Sequence, residues 1–333
     1  MNILLVTDAW LPQVNGVVRT YQTVIRELEA MGHAVRTVTP DQFRSFPCPT
    51  YPEIRLSVVG SRGLGRIIDE EAPDAIHIAT EGPLGVAARR ACLKRKLPFT
   101  TSFHTKFPEY VYARFRLPVS WSYAWMRRFH AASQAVMVAT PSLARELEGW
   151  GFTNVRPWTR GVDTALFHPR EETGLDLQRP ISLFVGRVAV EKNIAAFLDL
   201  DIDGTKLVVG DGPMLDELRH RYPKAVFAGK KEGEELARHF AAADVFVFPS
   251  RTDTFGLVLL EALASGVPVA AYPVTGPLDV VDGAGVGVLD DDLGKAVRSA
   301  LQIPAEQCRS YAMNFSWRAC AEKFLGNLAL IAR

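Results

Sequence analysis

One pattern constrains the fold of this chain more than any other. A short apolar run, a turn and an amphipathic helix follow one another, and the cycle then repeats. Residues 2–7 (N-I-L-L-V-T) read as a buried strand, 8–14 as a loop containing Pro12, and Gly16 to about Met31 as a helix, with the next strand at 34–39. A strand, a helix and a second strand make a βαβ unit, which sets the strands parallel and covers the sheet with helices. The cycle continues with strands at 75–78, 99–102, 135–139 and 154–158 and helices at 84–96 and 141–150. Residues 40–53, which include four prolines, read as a long irregular connection.

Residues 161–177 (G-V-D-T-A-L-F-H-P-R-E-E-T-G-L-D-L) break the cycle and read as a linker. Beyond it, strands are expected at 181–185, 206–209, 225–228, 245–248 and 267–271, and two helices close the chain at about 305–313 and 316–331. With 333 residues there is enough chain for two domains, each burying its own core. Two doubly wound domains in tandem are therefore the expected plan. A single sheet of about ten strands is the alternative, and the linker argues against it.

The stretch 249–266, P-S-R-T-D-T-F-G-L-V-L-L-E-A-L-A-S-G, bears the most chemistry. It follows an apolar strand, and a helix is expected from Phe255, with Thr254 as a cap. Between Phe255 and Ala264 every residue is apolar except Gly256 and Glu261. A carboxylate in such surroundings must be paired, hydrogen-bonded or neutralised, and a sugar diol would suit it. Asp253 lies eight residues earlier, in the loop. The amides of Thr254, Phe255 and Gly256 would be first-turn donors, an anion site at a strand end. The competing reading is that Asp253 only caps the helix and Glu261 pairs with an arginine.

The D-x7-E arrangement followed by A-L-A-S-G-V-P-V resembles the E-x7-E motif of the family 4 retaining glycosyltransferases, two-domain GT-B enzymes that use nucleotide-sugar donors. Asp253 stands where that family has Glu, at the position that contacts the donor sugar. V-G-R-V-A-V-E-K-N, residues 185–193, matches the family's G-R-x-x-x-x-K-N, whose Arg and Lys hold the donor diphosphate. The resemblance thus assigns that role to Arg187 and Lys192. From the residues alone they could equally be surface cations after a strand. V-V-G-D-G-P matches the family's G-x-G-P and makes Gly210 and Gly212 candidates for close backbone approach, with a purely structural turn as the alternative. F-A-G-K places Gly229 and Lys230 where the family's loop meets the nucleotide base. Q-V-N-G puts Gly16 at the mouth of the first helix, where the family's glycine loop faces the donor phosphate. S-F-H-T-K-F-P-E-Y follows a strand and resembles the H-T-x-x-P-x-Y of sugar-lipid transferases, which implies that His104 orients donor sugar or acceptor and is not a nucleophile. Glu81, in T-E-G-P-L-G, is a weaker acceptor-side candidate.

The resemblance implies two Rossmann-like domains facing across a cleft, an acceptor-side one over 1–165 and a nucleotide-sugar-binding one over 166–315. The helix at about 316–333 would cross back onto the first. The branch that these motifs resemble contains bacterial α-mannosyltransferases, sulfolipid synthases and glycosyl-diacylglycerol synthases. No D-x-D motif stands at a strand end, and two cations with a helix terminus can neutralise a diphosphate, so neither metal nor cofactor is expected. Asp290, Asp291 and Asp292 read as a charge cluster before a helix.

Charge is distributed unevenly. Residues 1–170 hold 21 Lys and Arg against 14 Asp and Glu, and residues 171–333 hold 17 against 23. Residues 85–130 alone carry ten basic residues and one acid, interleaved with Phe107, Tyr110, Tyr112, Phe115, Trp121, Tyr123 and Trp125. That mixture suits an anionic bilayer surface. Solvated cations beside core aromatics would leave the same trace, and no nucleic-acid module is present. Four scattered cysteines, no leader pattern and no long apolar run lead to the expectation of a cytoplasmic protein, peripheral on the inner face of the plasma membrane. The expected activity is transfer of a hexosyl unit from a nucleotide-sugar, UDP-sugar ahead of GDP-mannose, to a membrane lipid such as diacylglycerol. The alternatives are a mannosyl- or glucosyltransferase with a soluble acceptor, a GT-B nucleotide-sugar epimerase, and a non-catalytic sugar-binding protein.

Overall fold

The computed structural model describes residues 1–13, 15–48, 51–109, 112, 116–253 and 255–332. The chain divides into two compact units, Met1–Arg160 with Trp317–Arg333, and Gly161–Ser316. Each is built on its own six-stranded sheet, so the single-sheet alternative is excluded.

In the first unit the strands are β1 (Asn2–Val6), β2 (Ala34–Val38), β5 (Ala75–Ile78), β6 (Thr100–Phe103), β7 (Val136–Val138) and β8 (Val155–Pro157). They lie in the order β2-β1-β5-β6-β7-β8, every neighbouring pair parallel. Parallel strands buried on both faces favour near-continuous apolar runs, and β1 shows why its sequence lacks alternation. Leu4 and Val6 enter a core with Ile76, Ile78, Leu84 and Phe99. Ile3 and Leu5 enter the opposite one with Tyr21, Trp158 and Phe324. Phe324 belongs to the Trp317–Asn327 helix, which packs in this unit against the Gly16–Ala30 helix.

Two sequence expectations are corrected here. The proline-rich connection holds an antiparallel ribbon of β3 (Ser45–Cys48) and β4 (Tyr51–Ser57), with Ser45 opposite Ser57 and Phe46 opposite Leu56. Proline is tolerated there because a two-stranded ribbon is all edge. Helices Ser61–Glu71 and Val119–His130 add to the expected set, and the first has a weak sequence signal because its buried apolar positions, Leu64 and Ile68, are few.

In the second unit the strands are β9 (Ile181–Val185), β10 (Thr205–Val209), β11 (Val226–Gly229), β12 (Val245–Phe248), β13 (Val269–Ala271) and β14 (Gly287–Leu289). The order is β11-β10-β9-β12-β13-β14, again parallel throughout. β14 lies beyond the expected strands, since it is three residues long and only half-buried. The acidic run before the Leu293–Ala300 helix does act at its N-terminus, where Asp292 accepts from the Lys295 amide at 3.0 Å. Among the described residues no helix is long and apolar enough to cross a membrane.

Candidate active site

In the second sheet the chain leaves β9 for β10 and β11 on one side and returns to β12 on the other. At such a reversal the two strand-end loops diverge and leave room for a ligand. β9 runs into residues 186–193, and β12 into 249–256. Asn193, in the left-handed region at φ 52°, donates from Nδ2 to the Pro249 carbonyl at 3.1 Å and ties the loops together. One residue earlier, Lys192 Nζ donates to Asp253 Oδ1 at 2.6 Å, with both side chains about four-fifths buried. The structure therefore joins two residues that the sequence could only place 61 positions apart. Asp253 Oδ2 is buried and has no hydrogen-bond partner among the described residues. An ammonium has three protons, so two remain on Lys192 for other acceptors. Arg187 is half-buried in the same loop.

The helix of the D-x7-E stretch starts later than expected. It spans Leu257–Ala264, and Gly256 precedes it in the left-handed region at φ 81°. The first-turn amides accordingly begin at Leu257 and not at Phe255 or Gly256, because the chain needs the glycine to turn out of the strand end. A Cβ on Gly256 would lie 3.0 Å from the Phe248 ring. Thr254 lies outside the described residues, and Phe255 is buried. Glu261 is buried within the helix, among apolar neighbours.

Gly210 and Gly212 do allow close backbone approach, but of the protein itself. A Cβ on Gly210 would sit 1.8 Å from the Gly186 carbonyl oxygen, and one on Gly212 2.4 Å from that of Val188. These glycines let the loop after β10 lie directly on the Arg187 loop. Gly229 is at φ 72° with open space around its Cβ position, and exposed Lys230 pairs with Glu232. Sequence reasoning overlooked Gly276, whose Cβ would meet the carbonyls of Asp253 and Phe255 at 3.1 Å. Its position in a T-G-P turn after β13 was the available signal.

In the first unit the sheet reverses between β1 and β5. Asp8, directly after β1, accepts from the Leu84 amide at 2.8 Å, the Gly85 amide at 3.2 Å and Thr80 Oγ1 at 2.9 Å. It thereby caps the Pro83–Arg95 helix from a distance, and burial raises its pKa although these donors pull it down. Asn15 caps the Gly16–Ala30 helix through bonds from the Val17 and Val18 amides, leaving Gly16 exposed at the helix mouth.

His104 follows β6 and is partly buried. Its Nε2 lies 2.8 Å from the Tyr21 hydroxyl and its Nδ1 3.3 Å from Arg160 Nη2. Both ring nitrogens already have protein partners. Burial, and then the Arg160 charge, hold its pKa well below the usual histidine value. A neutral ring so engaged fits an orienting role better than a nucleophilic one. Lys106, two residues on, pairs with Glu146 at 2.7 Å. Glu81 lies 3.1 Å from His130 Nε2. Tyr21, His77 and Arg160, which complete this polar cluster, carried no sequence signal, since none of them belongs to a recognisable motif.

Part of the basic segment is structural. Arg89 donates to the carbonyls of Phe129 and Arg128, and Arg95 pairs with Asp69. Tyr123 is buried, whereas Trp121 and Trp125, one turn apart on the Val119–His130 helix, are 70% and 46% exposed. Tyr110, Arg114 and Phe115 lie outside the described residues.

A family model described as Glycosyltransferase Family 4 matches residues 14–166, and one described as Glycosyl transferases group 1 matches 179–303. The chain is 31% identical to a sulfoquinovosyl transferase of Arabidopsis thaliana, over 93% of this chain and 69% of that protein. It is 30% identical to a GDP-mannose-dependent alpha-mannosyltransferase of Corynebacterium glutamicum (87% and 77% covered). A third relative is an alpha-monoglucosyldiacylglycerol synthase of Streptococcus pneumoniae, at 29% (82% and 71%). Among solved structures, sucrose-phosphate synthase of Thermosynechococcus elongatus aligns with a TM-score of 0.78 at 21% identity, covering 98% of this chain and 97% of that one. The fold is that of the GT-B glycosyltransferases, with two parallel-sheet α/β domains.

Proposed function

The chain belongs to glycosyltransferase family 4 and is a glycosyltransferase, and from that premise we propose that it moves a hexosyl unit from a nucleotide-sugar to a hydroxyl of a membrane lipid such as diacylglycerol, with retention and without a metal. The observation that carries the donor side is the Lys192–Asp253 pair at the reversal of the second sheet. Lys192 keeps two protons for the diphosphate, Arg187 adds a fork of donors, and Asp253 Oδ2 is an acceptor awaiting a hydroxyl. In transfer, the bond from the anomeric carbon to phosphate breaks and the acceptor oxygen bonds that carbon on the same face. The acceptor's proton passes to the departing phosphate oxygen, whose charge the two cations stabilise. The name of the C. glutamicum relative favours GDP-mannose over UDP-sugars as donor.

Support for a lipid acceptor comes from the S. pneumoniae relative's name and from the Val119–His130 helix, which presents Trp121, Trp125, Arg127 and Arg128 outward. Each basic residue near an anionic leaflet contributes about 1 kcal/mol, so three or four suffice for reversible docking.

The test is a panel of UDP- and GDP-sugars with diacylglycerol in anionic or neutral vesicles. One donor class should release nucleotide only when the lipid is present, and the protein should sediment with anionic vesicles at low salt. Nucleotide-sugar turnover without any acceptor would point to an epimerase. Transfer to a soluble sugar, with no vesicle binding, would replace the lipid.

A further inference from the structure

Arg160 is the last residue of the first unit's N-terminal segment and is 4% exposed. Its hydrogen-bond partners among the described residues are all neutral. Nη1 donates to the carbonyls of Trp158 at 2.6 Å and Thr159 at 3.1 Å, Nη2 faces His104 Nδ1 at 3.3 Å, and the guanidinium lies 4.1 Å from the Trp158 ring centroid. A buried charge ordinarily needs a counter-ion, and here carbonyl dipoles, a ring face and an imidazole take its place.

A guanidinium can only donate, so His104 Nδ1 must accept and the ring proton must sit on Nε2. Nε2–H then donates to the Tyr21 hydroxyl at 2.8 Å. Tyr21 has one proton of its own, which goes on to His77 Nε2 at 2.9 Å or Ser102 Oγ at 3.1 Å. His77 Nδ1 meets Thr100 Oγ1 at 2.8 Å. One buried cation thus sets the direction of the His104–Tyr21 hydrogen bond, at the head of a cluster of neutral groups. Among the described residues, the titratable groups around His104 include Arg160, Tyr21, His77 and His130, and the His130 ring in turn holds Glu81. Burial and the Arg160 charge both disfavour the imidazolium.

We propose that Arg160 is a positioning residue for glycosyl transfer, holding His104 in the single tautomer that carries its proton on Nε2. The consequence for transfer rests on His104 belonging to the active site, whereas the tautomer does not.

Isotope-labelled histidine and long-range proton–nitrogen correlation read the tautomer directly, with the His104 signals identified by their loss in His104→Gln. In the unaltered protein His104 should remain the neutral Nε2–H form as pH falls from about 8 through the range near 6.5 where an ordinary histidine takes up its proton. Arg160→Met removes both donor and charge. It should give a tautomer mixture or a protonated ring within that range, and lower kcat about tenfold with little change in the donor KM. Arg160→Lys, which keeps a charged donor, should restore the Nε2–H signature and much of kcat. If the methionine variant does not fold, Arg160→Gln is read in its place for loss of the charge. An unchanged His104 spectrum in the neutral variants would overturn the inference alone. Unaltered turnover of His104→Gln would instead overturn the active-site reading of His104, and the positioning role with it.

Discussion

Lys192 and Asp253 were legible as residue types at strand ends, but not as a pair. The 2.6 Å contact changes what their removal should do. In the proposed mechanism Lys192→Ala takes away transition-state charge stabilisation, so transfer should fall at least about tenfold. It also strands a mostly buried carboxylate, at about 1–3 kcal/mol of stability. Lys192→Ala with Asp253→Asn should recover the melting temperature and not the activity, and Arg187→Ala should likewise lose activity. Rates and melting curves on the same preparations decide this, and full turnover in both single variants would remove the diphosphate assignment. His77 gives a pH prediction. Burial lowers its pKa from 6.5 to about 3, so the unfolded chain takes up a proton first as pH falls. The stability it contributes is therefore intact above about pH 6.5 and is lost progressively toward pH 3, with a limiting slope of about 1.4 kcal/mol per pH unit. Asp8, whose pKa is raised, works in the opposite sense, but it is common to the parent and the variant. Urea melts of the parent and of His77→Gln between about pH 7 and about pH 4.5 should diverge by that slope. Parallel curves would contradict it.

At the scale of elements, the strands were the easiest to read because a parallel strand buried on both faces leaves an unbroken apolar run. The boundaries that matter for chemistry were harder. The helix start moved from Phe255 to Leu257 because Gly256 turns the chain, and no periodicity reports a single left-handed residue. The glycines after β10 were visible in the sequence, but what approaches them was not. Gly210→Ala would force a Cβ against a backbone oxygen, where no rotamer gives relief, so it should cost more than about 2 kcal/mol and weaken nucleotide binding by displacing the Arg187 loop. Gly229→Ala meets only the strain of its positive φ and should cost about 1 kcal/mol. Equal destabilisation of the two would mean that the close approach in the first is readily relaxed.

For the whole molecule, the contrast between a basic first half and an acidic second half makes the first half the place to test the proposed membrane contact. Trp121→Ser with Trp125→Ser should cut sedimentation with anionic vesicles several-fold, because it removes the exposed apolar anchor and leaves the charge. It should leave nucleotide binding unaltered. Unchanged sedimentation would mean that charge alone, or another surface, makes the contact. Turnover in excess EDTA should match that with Mg²⁺, since in the proposed mechanism Arg187 and Lys192 supply the charge that faces the leaving diphosphate. Loss on chelation and recovery with Mg²⁺ would reveal a metal role.

The sequence by itself determined the alternating architecture, the restart of that alternation after residue 161 and the strand-end positions of Arg187, Lys192, Asp253 and His104. All of these follow from local hydrophobic periodicity and short motifs, which a linear chain displays. Tertiary structure alone decided that Lys192 holds Asp253, that Asp8 caps a helix through Leu84, 76 residues away, and that Tyr21, His77, His104 and Arg160 meet in one buried chain. A hydrogen bond between distant segments leaves no trace in either segment's periodicity. It exists because the order of the strands brings their ends together, and that order is set by packing rather than by any residue's local preference.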